Sequence, residues 1–123
     1  MIQEAYCSFE VAKLLKEKGF NEPTWTCYIC YVKNEISHYD YTFSNSELRD
    51  EDISAPTHQM AMAWLRETYE IDIIIEISDP SVKGRKYYCV IWDKNNNSYI
   101  LDLFGSYEEA IEAALKYILE NLI

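Results

Sequence analysis

Lys86-Tyr87-Tyr88-Cys89-Val90-Ile91-Trp92-Asp93-Lys94-Asn95-Asn96-Asn97-Ser98-Tyr99-Ile100-Leu101-Asp102-Leu103-Phe104-Gly105-Ser106-Tyr107-Glu108-Glu109-Ala110 is the stretch that decides the fold class. Two β-prone runs, 86–93 and 98–104, flank a cluster of asparagines. Asn tolerates positive φ, so a two-residue loop at Asn95-Asn96 predicts a type I′ hairpin turn. That register sets Trp92 opposite Tyr99, Val90 opposite Leu101 and Tyr88 opposite Leu103. Ser106 and Glu109 then have the spacing of a capping box. They open a helix that runs to the C-terminus with Tyr107, Ile111, Ala114, Ile118 and Leu122 on its buried side and Ala110 and Leu115 alongside. A hairpin leading straight into an amphipathic helix is a building block of an antiparallel sheet with a helix packed on it.

Working back towards the N-terminus, Ile71 to Ile77 alternates strictly. Ile71, Ile73, Ile75 and Ile77 share one face, and Asp72, Ile74 and Glu76 the other, which predicts a half-buried strand. Ser54-Ala55-Pro56-Thr57 opens a second helix with Pro in its first turn and an apolar stripe of Met60, Ala61, Trp64, Leu65 and Thr68. His58 falls in that first turn, where exposure to solvent is expected. Ser44 to Ser54 is polar and reads as a loop. Trp25–Val32 and Ile36–Phe43 form a first hairpin around Lys33-Asn34-Glu35. A three-residue turn places Val32 opposite Ile36, and so Cys30 opposite His38. At the start of the chain, Ser8 caps a helix that runs to about Lys18. Gly19 takes the left-handed position after it, and Phe20 folds back on Leu15. The element order is α-β-β-α-β-β-β-α, a single α+β domain over 1–123 with a mostly antiparallel sheet and three helices.

The 123 residues are 49% hydrophobic and 26% charged, with three Gly and three Pro, a globular composition that excludes a linker or a disordered chain. No apolar run approaches the ~20 residues of a membrane helix, and Met1-Ile2-Gln3-Glu4-Ala5 has no export signal. A cytoplasmic location is therefore expected. The net charge of −10 opposes binding to a phosphate backbone, which rests on Lys and Arg displacing counterions. Lys83-Gly84-Arg85-Lys86 is a short basic turn. Glu47 to Asp52 gathers four carboxylates around Arg49; the plain reading is a solvated loop, and the sharper one is a mimic of DNA phosphates.

Of the four cysteines, Cys27 and Cys30 match Cys-x-x-Cys, but they lie in a β-rich run where side chains alternate, a poor geometry for one metal. They read better as small buried hydrophobes. Cys30 with His38 is the one Cys/His neighbour pair that the spacing yields, half of a metal site or a thiolate–imidazole pair, against the plainer reading of a Cys and a His meeting at a sheet surface. There is no phosphate loop, nucleophile elbow or metalloprotease motif. The unusual feature is eleven tyrosines. Tyr28, Tyr31, Tyr39, Tyr41, Tyr87 and Tyr99 lie on expected strands and are interface candidates, because Tyr offers area at low entropic cost with a polar tip. The competing explanation is β-propensity with partial burial.

Three segments, 6–20 (Tyr6-Cys7-Ser8 through Lys18-Gly19-Phe20), 55–67 (Ala55-Pro56-Thr57-His58-Gln59-Met60-Ala61-Met62-Ala63-Trp64-Leu65-Arg66-Glu67) and 106–123 (Ser106-Tyr107-Glu108-Glu109-Ala110 through Asn121-Leu122-Ile123), resemble in this order a family of small phage, prophage and mobile-element proteins of gut anaerobes. The resemblance spans nearly the whole chain and supplies no catalytic residues. It implies an accessory protein of a bacterial host cell. The leading expectation is a non-enzymatic protein that acts by protein–protein contact, as a homo-oligomer, with no cofactor, membrane or direct nucleic-acid contact. The alternatives are an acidic inhibitor or DNA mimic that binds a host defence or DNA-binding protein, and a small metal-binding protein or enzyme.

Overall fold

The computed structural model describes residues 2–29, 35–78 and 84–123. The chain carries three helices and two antiparallel three-stranded sheets, in the order α1 (Phe9–Glu17), β1 (Thr24–Tyr28), β2 (Ser37–Phe43), a 3-10 turn (Asn45–Glu47), β3 (Ile53–Ser54), α2 (His58–Tyr69), β4 (Asp72–Ile77), β5 (Tyr87–Trp92), β6 (Ser98–Phe104) and α3 (Tyr107–Asn121). This is the α+β class that the sequence predicts, and its element order apart from β3, which lies in the stretch expected to be a loop; the strands are divided between two sheets. The residues fall into two compact units, Met1–Ala61 and Met62–Ile123.

In the first unit, Ser8 Oγ accepts from Val11 N at 3.2 Å and caps α1. The helix ends as its sequence predicts. Gly19 has φ +95°, Gly19 N donates to Lys16 O at 3.1 Å, and Phe20 N donates to Leu15 O at 2.9 Å, a complete Schellman pair. The sheet order is β2-β1-β3. Its centre, β1, is pinned by polar bonds in the interior. Thr26 Oγ1 donates to Ala55 O at 2.6 Å, Ala55 N donates to Thr26 O at 2.9 Å, and Tyr28 OH donates to Cys7 O at 2.6 Å. Ala12, Tyr28, Ile53 and Ala55 form a buried cluster, with Phe9 and Ile36 against it.

Those bonds correct the first hairpin. His38 stands opposite Thr26 and Ser37 opposite Cys27, with a bulge between Thr24 and Thr26. His38 therefore does not pair with Cys30, which lies outside the described residues together with Tyr31. The position of β1 follows its buried partners on the β3 side, which turn chemistry at 33–35 does not encode.

The 44–54 stretch is not a solvated loop. Ser44, Asn45, Asp52 and Ser54 are buried. Asn45 organises it: Nδ2 donates to Phe20 O at 2.8 Å and Oδ1 accepts from Ser54 N at 2.9 Å. Lys16 Nζ donates to the carbonyls of Asp50 and Asp52 at 2.6 and 2.9 Å, and Asp52 itself pairs with Arg49 at 3.0 Å. The acidic run thus turns one of its carboxylates inward. Helix α2 begins one turn later than expected. Pro56 precedes it, and Thr57 Oγ1 accepts from Met60 N at 3.2 Å as its cap.

In the second unit, α2 ends on Glu70 at φ +57°, with Ile71 N donating to Leu65 O at 3.3 Å. The second sheet runs β4-β5-β6, and α3 packs on all three strands. Ser106 Oγ accepts from Glu109 N at 3.1 Å, and Glu109 Oε2 accepts from Gly105 N at 3.1 Å. The capping box thus closes on the residue before its Ser. Ala110, Ile111, Ala114, Leu115, Ile118 and Leu119 are the buried stripe. Tyr107, expected in that stripe, is 42% exposed.

The second hairpin is one residue out of the predicted register. Asp93 N donates to Asn97 O at 3.0 Å, which leaves three residues in the loop, with Asn96 at φ +64°. Asp93 Oδ1 accepts from Asn95 N at 2.9 Å and from Asn97 N at 3.0 Å. The carboxylate supplies the turn bonds that a two-residue type I′ turn lacks. Trp92 consequently faces Ser98, Val90 faces Ile100, and Tyr99 faces Ile91. A one-residue slip moves every side chain of a strand to the other face. Here it turns Tyr99 and Leu101 away from the face of Trp92 and Val90 and places Ile100 there.

Candidate functional site

The β4-β5-β6 sheet is covered by α3 on one face, where Cys89 and Ile91 are fully buried. Tyr87 and Tyr99 lie on this covered face. The Tyr87 ring meets Tyr107 edge-on at 6.2 Å, and Tyr99 meets Tyr117 at 5.8 Å. Tyr99 OH also donates to Asp93 Oδ2 at 3.2 Å; partial burial, then this bond, pushes the phenol above its usual range.

The other face is open, and its composition follows from strand alternation. One row runs straight across the sheet: Ile74 opposite Val90, and Val90 opposite Ile100. The row on one side is Asp72, Trp92 and Ser98. The row on the other side begins with Glu76 opposite Tyr88. Asp102 and Leu103 fall beside Tyr88, between the Cys89–Leu101 and Tyr87–Phe104 pairs, where the β5–β6 ladder shifts by one residue. Ile100 is 64% exposed, Leu103 59%, Ile74 43% and Trp92 40%. A contiguous apolar belt across three strands is the kind of exposed patch that marks interaction surfaces.

The first unit carries a second exposed aromatic group. Tyr39, Tyr41 and Phe43 lie along β2, with ring centroids 5.1–6.3 Å apart. Tyr41 is 59% exposed, as is Trp25 at 57%, whereas Phe43 is buried. Tyr39 hydrogen-bonds the Cys27 side chain, and this bond is the main cause that raises the Tyr39 phenol. Burial pushes the Cys27 thiol up, against the smaller pull of Tyr39, so this cysteine is a poor nucleophile. Tyr28, expected at an interface, is corrected to a core residue. It is 5% exposed and held edge-on to Phe9 at 5.6 Å.

His38 is exposed and meets Tyr6 edge-on at 6.0 Å. His58, by contrast, is 4% exposed, because His58 N donates to Ala5 O at 2.9 Å and an antiparallel bridge joins Tyr6 to Thr57. The same bridge brings a ring nitrogen of His58 within 4.8 Å of Cys7 Sγ. Sulfur and imidazole are donors of the kind zinc takes. No local pattern announces this pair, because it joins residues about fifty positions apart.

No helix among the described residues is long and apolar enough to cross a membrane. Comparison with protein-family models, with curated proteins and with solved structures finds no match to this chain.

Proposed function

We propose that the chain is a protein-binding module that works without chemistry of its own, through the open face of β4-β5-β6. The observation that carries this reading is the Ile74–Val90–Ile100 row, apolar on all three strands and accessible on both edge strands. Fully burying an isoleucine against a partner is worth about 1.5–3 kcal/mol, so a belt of this size is a sufficient anchor. The resemblance to small phage and mobile-element proteins fits an accessory role of this kind. The test is a photo-crosslinking residue at position 100, with a control at exposed Glu108 on α3, in the full chain expressed in its host. Adducts formed from position 100 and not from 108 support the reading. Equal labelling from both positions, or none, overturns it.

A second reading, a small zinc-binding protein, is favoured by the buried Cys7–His58 pair. It requires about one equivalent of zinc in protein purified without chelator, lost in His58→Ala.

A further inference from the structure

The charge around the belt identifies the chemistry of what it binds, an inference that rests on the open-face reading above. The three rows contain three carboxylates, Asp72, Glu76 and Asp102, and no Lys or Arg. All three are exposed. Lys86 lies one row further out, where Ser78 N donates to its carbonyl at 2.9 Å. The belt thus runs from Ile74 to Ile100 with acids at its margins, on a chain whose net charge is −10.

A second copy of the chain is a poor occupant for this surface. Stacking the face on itself brings six carboxylates into one interface, and like charges brought together on a sheet face destabilise it. A cationic partner reverses that term and gains from long-range steering as well. The shape of the surface sets the form of the partner. Tyr88, Val90 and Trp92 run along β5 for about two strand repeats of ~6.7 Å each, and three strands at ~4.8 Å spacing make a width of about 10 Å. That footprint matches the 10–12 Å diameter of a helix, roughly. The opposite face of the same sheet already seats a helix, α3, by the same strand-alternation geometry.

We infer that the open face of β4-β5-β6 receives an amphipathic helix of a partner protein, with an apolar stripe along Tyr88, Val90 and Trp92 between Ile74 and Ile100, and Lys or Arg on its flanks against Asp72, Glu76 and Asp102. The helix would complete a sheet that is covered on one side only.

The experiment uses the full chain with methyl-labelled Ile and Val, titrated with synthetic helical peptides of about five turns. One peptide has a Leu stripe flanked by Lys, a second the same stripe flanked by Glu, and a third the first composition scrambled. The Lys-flanked peptide alone is expected to shift the methyls of Ile74, Val90 and Ile100 and leave those of Ile111 and Ile118 in place. Asp72→Asn, Glu76→Gln and Asp102→Asn combined are expected to weaken it about tenfold, the sum of three exposed ion pairs. Ile100→Asp is expected to abolish binding, with unchanged Ile111 and Ile118 methyls as proof of folding. Equal binding of the Glu-flanked peptide overturns the cationic partner and keeps the open-face reading. Concentration-dependent broadening of the same three methyls without peptide, lost in Ile100→Asp, replaces the partner helix with a second copy. No shift with any peptide and no self-association overturns both the helix and the open face as a binding surface.

Discussion

Asp93 and Asn97 are bonded to each other in both directions: Asp93 N donates to Asn97 O at 3.0 Å, and Asn97 N donates to Asp93 Oδ1 at 3.0 Å. This pair decides which side chains of β6 meet solvent. The bond from Asn97 N holds the Asp93 carboxyl below its usual range of about 3.8, with Asn95 N and Tyr99 OH in support. A carboxyl lowered in the folded state contributes stability that is present above its unfolded pKa and is lost as pH falls through the folded one. The midpoint of thermal unfolding is therefore expected to decline on the acid side of about pH 4. Asp93→Asn, which keeps the turn acceptor and removes the titration, is expected to flatten that decline. Asp93→Ala is expected to lower the midpoint at pH 7 and weaken the Val90–Ile100 cross-strand NOE. Parallel acid curves for the native chain and Asp93→Asn would refute this assignment.

Two helices end on the same left-handed step with different residues. Gly19 at φ +95° has nothing within 4 Å of an added Cβ, so Gly19→Ala meets backbone strain and no clash. A cost of about 1–2 kcal/mol is expected in chemical denaturation. Glu70 sits at φ +57°, and there the exchange runs the other way. Glu70→Gly is expected to stabilise the chain by about 0.5–1 kcal/mol.

Asn45→Ala tests the order of the 44–54 stretch. Removing its side chain strands Phe20 O and Ser54 N, both bonded to it in the interior. A buried polar group left without its partner costs about 1–3 kcal/mol. A loss in that range in urea denaturation is expected, and a change under about 0.5 kcal/mol would show a stretch that does not need Asn45.

The two faces of the second sheet differ in what substitution does. Ile118 is fully buried on α3, and Ile118→Ala is expected to cost about 2–5 kcal/mol through the cavity it leaves. Ile100, at 64% exposure, is expected to tolerate Asp within about 0.5–1 kcal/mol. Similar losses at both sites would mean that Ile100 is covered in solution.

What was legible in the sequence follows from the range of the physics. Helix α1, with Ser8, Gly19 and Phe20, was read fully because every signal lies within one short segment. The middle of the α3 stripe is legible in its spacing, but its ends are not: Tyr107 is exposed and Leu122 only half-buried, while Leu119 is buried. The strand β3 and the role of Asn45 were missed, because they exist only through bonds to Phe20 and Thr26 far along the chain. The tyrosines pointed to a surface, yet Tyr28 is core, and Tyr87 and Tyr99 pack towards α3. The open face is instead made by isoleucines and a tryptophan, and which β6 residues join it depends on the side-chain bonds of Asp93. The Cys7–His58 pair depends on the Tyr6–Thr57 bridge, which has no local signature at all.

The belt on the open face has a consequence for how it can be recognised. Its members come from positions 74, 90 and 100, one from each strand, so no short peptide of the chain contains all three, and none presents them side by side as the sheet does. Overlapping-peptide arrays will miss this surface, and an antibody that blocks it will bind a discontinuous epitope and lose recognition on a denaturing blot.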